Sequence, residues 1–186
     1  MRLLDRTVRH AVSLPVYVCC LMLAASLPPA VLAAPALPSV RAGTAIDAGQ
    51  WRVKPLRAWF SSEHPLRRPV ARSSVYLLVE VEFTNLMERS SRDFGFVVRV
   101  DQPALAQLGE PSFVLVRDGD LPDRLHPNMP EALLLVWPWP ADVPAPPELR
   151  LSITAKTFKA ADNLVGSPGW FNPAVIATAT LSMSAQ

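Results

Sequence analysis

Apolar and polar positions alternate strictly over residues 75–85. Leu77, Val79, Val81 and Phe83 fall on one side; Leu78, Glu80, Glu82 and Thr84 fall on the other. A two-residue period of this length specifies an antiparallel strand with one face in a core and one in solvent. The period returns at Phe94, Phe96, Val98 and Val100. It returns again at Leu149, Leu151, Ile153 and Ala155, set against Arg150, Ser152, Thr154 and Lys156. Further strands are predicted over 51–60, where Pro55 suggests an edge position, and over 112–117, which the turn pair Asp118-Gly119 ends. Two more are predicted over 131–137, closed by Pro138 and Pro140, and over 174–183, rich in Val, Ile and Thr. Loops are expected at 63–74, 121–130 and 160–173, and a polar turn at 85–91. No segment carries the 3.6-residue period of a long amphipathic helix. Seven alternating strands in one domain of this size predict an all-β, two-sheet antiparallel sandwich of about seven strands, with a closed barrel as the alternative.

The amino terminus departs from this pattern. Arg2, Arg6 and Arg9 precede a run from residue 11 to residue 34 that carries no charge. A basic flank before an uncharged apolar run marks an export signal or a single membrane anchor. Pro15, Pro28 and Pro29 interrupt the run, and its unbroken part, 16–27, is shorter than a bilayer requires. That length favours a signal peptide over a retained signal-anchor, with cleavage after Ala33 or Ala34. Pro35 favours the former, because proline is a poor residue just beyond a scissile bond. Lipidation is not expected, since neither Cys19 nor Cys20 follows a small residue. The chain therefore divides into a signal peptide or anchor at 1–34, a linker at 35–50 and a β domain at 51–186. The domain is placed outside the cytoplasm: secreted, periplasmic, or tethered to the cytoplasmic membrane.

Removing the first segment changes the charge and the redox chemistry. Of 18 basic and 16 acidic residues, three and one precede residue 35, leaving 15 of each sign. A neutral domain has no electrostatic case for nucleic acid or for an anionic membrane surface. Membrane contact is expected only through residues 11–34, and only if they are retained. The local cluster Arg67, Arg68 and Arg72 reads as a solvated loop. Both cysteines leave with the segment, so the mature domain has no disulfide, cysteine nucleophile or thiolate metal site. Twenty prolines against seven glycines leave little room for helices.

Residues 76–85 read Tyr-Leu-Leu-Val-Glu-Val-Glu-Phe-Thr-Asn: an aromatic start, alternating valines and a terminal asparagine. This resembles the core strand of the telokin-like immunoglobulin-fold domains of secreted bacterial proteins and lipoproteins. The layout of an apolar amino-terminal segment, a short linker and one domain is similar as well. So is the turn Leu-His-Pro-Asn-Met-Pro-Glu, 125–131, before a late apolar strand. The resemblance implies an immunoglobulin-like sandwich and supplies no catalytic residue, because that family has no established common activity. The length and the Gly and Trp content of 160–173 depart from its pattern.

The chemistry-bearing motifs are few. No nucleophile elbow, phosphate-cradling glycine loop or His-Glu-x-x-His motif occurs. His64 and His126 stand apart beside prolines, too few for a zinc site. Asp118, Asp120 and Asp123 crowd one loop and form a weak calcium candidate; aspartates also favour turns for their own backbone bonds. Glu80 and Glu82 are spaced as a hydrolytic carboxylate pair, but a solvated strand face accounts for them. Lys156, Lys159 and Asp162 with Trp170 and Phe171 gather cations and aromatics at the end of one strand and in the loop after it. That arrangement suits ligand or partner binding, and Trp139, between two prolines, is a further candidate at an edge. No cofactor is implied. The expected function is a non-catalytic binding or accessory module of the cell envelope, engaging another envelope protein or an envelope polymer. An exported carboxylate-dependent hydrolase and a structural spacer are the alternatives.

Overall fold

The computed structural model describes residues 36–66, 75–102, 108–140, 142–164 and 166–184. The expected export segment and the Arg67, Arg68 and Arg72 cluster lie outside these residues. Described residues from 36 onward belong to one compact unit.

Nine strands and no helix occur among the described residues. They are β1 (Ser39–Arg41), β2 (Ile46–Asp47), β3 (Trp51–Ser61), β4 (Val75–Asn85), β5 (Val98–Val100), β6 (Ser112–Leu115), β7 (Pro130–Trp139), β8 (Glu148–Lys159) and β9 (Gly169–Ser184). Within the stretch read as a linker, Ser39–Arg41 and Ile46–Asp47 are strands that pair with β9 and β3. Their few residues show no period of their own; neighbouring strands supply the hydrogen-bond partners.

The strands form one mixed sheet curled into a half-barrel, ordered β5-β8-β9-β3-β4-β7-β6. This differs from about seven antiparallel strands in two sheets. β9 runs parallel to β1 over Ser39–Arg41 and parallel to β3 at Ala58↔Met183 and Trp59↔Ser184. The physical reason is the length of β9: sixteen residues pair along one edge with β8 and reach two successive neighbours along the other.

A bulge sets the curl. β3 and β4 pair in antiparallel register until one extra residue intervenes between Pro55 and Arg57. Side chains alternate across a strand, so one extra residue exchanges its faces. Trp51 and Val53 point into the core before the bulge, and Ala58 after it. They meet Leu77, Val79, Val81 and Phe83 of β4, with Leu133, Leu135 and Trp137 of β7. Leu149, Leu151 and Ile153 of β8 and Ala177, Ala179 and Leu181 of β9 complete the wall. The indole of Trp51 stands edge-on to Phe83 at 6.4 Å and to Phe94 at 5.9 Å, and its N–H donates to the Asp93 carbonyl at 2.8 Å. Phe94, read as strand, is instead a core plug carried on a turn. Leu78, on the nominally polar side of β4, is buried together with Trp59 and Val136, so the sheet is covered on both faces there.

At the end of β4, Asn85 is fully buried. Its amide donates to the carbonyls of Arg89 at 2.8 Å and Leu125 at 2.9 Å, and its side-chain oxygen accepts from the Met87 N–H at 2.9 Å. Its main-chain carbonyl accepts from the Asn128 N–H at 2.8 Å. Asn85→Ala strands these groups and is expected to cost about 2–4 kcal/mol, measured by urea unfolding; a loss under ~0.5 kcal/mol contradicts this account.

Candidate functional site

The β8–β9 hairpin is longer than the core it serves. β5 stops at Val98, opposite Ile153, and outward from Thr154 the side chains of β8 are only half-buried or exposed. The hairpin continues as an arm to Lys159↔Gly169. Residues 169–173, read as loop, are therefore strand. The extension is held by a cross-strand aromatic pair: Phe158 and Trp170 are register partners with ring centroids 5.4 Å apart. Register irregularities between Ile153 and Thr154 and between Ala155 and Thr157, a left-handed Asn172 and Pro173 break the regularity of the arm. Such features keep a projecting strand from pairing with another chain.

The predicted residues settle into distinct roles. Lys156 reaches back to the body, binding the Asp93 carboxylate at 2.6 Å and lying 4.1 Å over the Phe96 ring. Lys159 pairs with Asp162 at 3.2 Å and lies 5.5 Å over Phe171. Asp162 builds the tip: its side chain accepts from the Leu164 N–H at 2.9 Å and its carbonyl from the Gly166 N–H at 2.8 Å. These ionic contacts orient the arm. Trp170 is half-buried and lies on Gly49, which holds a left-handed φ of 75°. A Cβ at Gly49 would come within 2.9 Å of the indole, so only glycine permits this approach.

A groove of about 740 Å³ opens beside the arm. Phe158, Pro168, Gly169 and Trp170 form one wall, and Leu86, Met87, Glu88 and Arg89 form the other. The second wall is the turn clamped by Asn85. Gln50 lies below it, its amide donating to the Met87 sulfur at 3.5 Å, and its buried Oε1 accepts no hydrogen bond among the described residues. Phe158 is 54 % exposed and Leu164 at the tip 96 % exposed. The sequence reading missed Phe158, Leu86 and Met87. The available signal was two adjacent apolar residues inside a segment otherwise polar enough to pass for a turn.

The structure brings Lys156, Lys159, Asp162, Trp170 and Phe171 onto one arm but not Trp139. Trp139 pairs with Val75 at the opposite end of β4, roughly 33 Å from Asn85 at the rise of an extended strand. It packs edge-on against Phe60 at 4.8 Å, and its indole donates to the Val143 carbonyl at 2.8 Å.

The aspartate loop is organised by arginines. Asp118 accepts from the Asp120 N–H at 3.0 Å and pairs with Arg117 at 3.0 Å; these bonds, the backbone one foremost, hold its carboxyl below the usual range. Asp123 pairs with Arg92 at 2.8 Å, and Arg117 also holds Glu131 at 2.6 Å. Among the described residues no three ligating side chains are grouped for a metal ion. Glu80 pairs with Arg57 at 2.6 Å, and Glu82 with Lys54 at 3.8 Å, both across to β3.

Comparison with family models, with curated proteins and with solved structures finds no match to this chain.

Gly49→Ala is expected to destabilise the domain by about 1–3 kcal/mol, from the left-handed backbone and the displaced indole. The Trp170 emission should shift red, isolated by difference from a Trp170→Phe background. Unchanged stability and emission would refute the contact.

Proposed function

We propose that this protein is an exported, non-catalytic binding module of the cell envelope, engaging a partner protein through the groove between the β8–β9 arm and residues 86–89. One observation carries the reading. An aromatic pair, Phe158 and Trp170, is partly open to solvent on an arm that Lys156–Asp93, the Lys156–Phe96 contact and the Gly49 platform hold in place. Rigid aromatic anchors are where protein interfaces concentrate their binding energy, and a preformed wall reduces the ordering cost of association. The apolar lining suits a hydrophobic side chain of the partner, with Glu88 and Arg89 supplying a polar rim. Ion pairing of Glu80 and Glu82 across the sheet favours this reading over hydrolysis.

The immunoglobulin-like sandwich belongs to the same proposal. Two halves of the sheet, β5-β8-β9 and β3-β4-β7-β6, meet only at two parallel residue pairs and fold their apolar faces on one core, as two packed sheets do. On this reading the domain is related to the telokin-like domains, through the resemblance of residues 76–85 to their core strand. Export rests on the charge-free run behind three arginines.

A photoreactive side chain at Met87 or Phe158, expressed in the native cell, is expected to form a discrete crosslinked adduct. The same group at Val143, near Trp139, should form none. Adducts from Val143 alone, or from no position, overturn the groove as the interface. Mass measurement of the exported protein is expected to show a soluble species lacking residues 1–33. A species confined to the cytoplasm and retaining them rules export out.

A further inference from the structure

We infer that the cleft between β1 and β3, on the second edge of β9, is a binding site for a neutral saccharide. This inference does not rest on the groove, which is formed by different residues.

The cleft arises from the way β9 is handed between neighbours. β1 accompanies β9 as far as Arg41↔Thr180, and β3 joins only at Ala58↔Met183. Leu181 and Ser182 therefore have no strand partner on that edge. The bulge between Pro55 and Arg57 adds a residue to β3 beside this gap, and the Gly43 N–H donates to the Pro55 carbonyl at 2.7 Å to close the far side. The result is a hollow of about 510 Å³.

Its chemistry is uniform in one respect. Ser39, Thr180, Ser182 and Ser184 line it, and none of their hydroxyls takes part in a side-chain hydrogen bond among the described residues. Thr180, Ser182 and Ser184 alternate with the buried Leu181 and the core-packed Met183, so all three lie on the outward face of β9. Arg41 and Glu148 stand at the same hollow, and neither is in an ion pair among the described residues. Arg57 is already committed to Glu80 at 2.6 Å and stacked 4.8 Å over Trp59. One free guanidinium and one free carboxylate leave the cleft balanced in charge. Leu56 supplies apolar surface, while Val40, register partner of the buried Ala179, packs toward the core.

These features select the ligand class by exclusion. An apolar ligand would desolvate four hydroxyls and two charges without replacing their hydrogen bonds. A strongly charged ligand would satisfy one of Arg41 and Glu148 and oppose the other. A peptide strand needs a longer free edge than two residues to gain affinity from main-chain bonds. A neutral saccharide meets the requirements together. Its hydroxyls both donate and accept, as serine and threonine do; a carboxylate accepts hydrogen bonds from them, a guanidinium donates to its oxygens, and its C–H faces cover Leu56.

The test is titration of the full chain, purified in detergent, with two neutral probes, the β-1,4-linked tetramer of N-acetylglucosamine and maltotetraose, followed by amide chemical shifts. Saturable shifts with at least one probe are expected at Val40, Arg41, Leu56 and 180–184. Arg41→Ala/Glu148→Gln should weaken that binding about tenfold. Thr180→Val/Ser182→Ala should weaken it as well. All four side chains lie on the surface, and the dispersion of the amide spectrum reports that each variant is folded. Absence of saturable shifts with both probes, shifts mapping elsewhere, or unchanged affinity in a folded Arg41/Glu148 variant overturns the inference.

Discussion

The buried amide of Asn85 is the contact on which the organisation of this protein turns. A primary amide has two donors and an acceptor, and in an apolar interior each left unpaired is costly. Asn85 spends them on Arg89, Met87 and Leu125, and its main chain on Asn128. One side chain thus ends the central strand, folds the 86–91 turn over it and fastens the 125–128 segment beside it. One wall of the groove is that same turn. Stability and the candidate interface consequently share a residue that does not itself line the groove.

The second organising constraint is parity. A strand offers its side chains alternately to two faces, and a curled sheet must keep the apolar set inward while changing direction. The bulge at Pro55–Arg57 does this in β3; the irregularities at Ile153–Thr154 and Ala155–Thr157 fall where β8 leaves the core. Each bulge also produces a local consequence. The first opens the hollow beside β9. The second pair lies at the base of the arm that carries Phe158 and Trp170. The two candidate binding surfaces thus lie beside places where the ladder is interrupted.

Charge is used locally. The acidic and basic residues beyond residue 34 cancel in number, and most of those in the sheet pair across strands or at turns: Arg57 with Glu80, Lys54 with Glu82, Arg92 with Asp123, Lys156 with Asp93. Exposed pairs of this kind add little to stability. Their effect is to fix orientation, as Lys156 does for the arm. Among the described residues Arg41 and Glu148, which line the hollow, are in no ion pair, as is also true of Glu88 and Arg89 beside the groove.

Alternation located β4 and β8: their period-two runs lie where the sequence places them, the Val-, Ile- and Thr-rich 174–183 falls within β9, and the four inward residues of β4 form the centre of the core. Short-range chemistry also determined turns, such as Asp118-Gly119, where Gly119 takes a positive φ. Pairing could not be read in the same way. A strand's own pattern says which face is apolar but not which strand lies beside it, so the parallel contacts of β9 and the short β1 and β2 followed only from the assembled sheet. The candidate site was half legible for the same reason. Lys156, Lys159, Asp162, Trp170 and Phe171 are near in sequence and share one hairpin, whereas Trp139 was a misleading companion because β4 separates it from them by its full length. Leu86, Met87 and Gly49 join Trp170 only through tertiary contact, since proximity across a fold is set by the packing of strands and leaves no period in the chain.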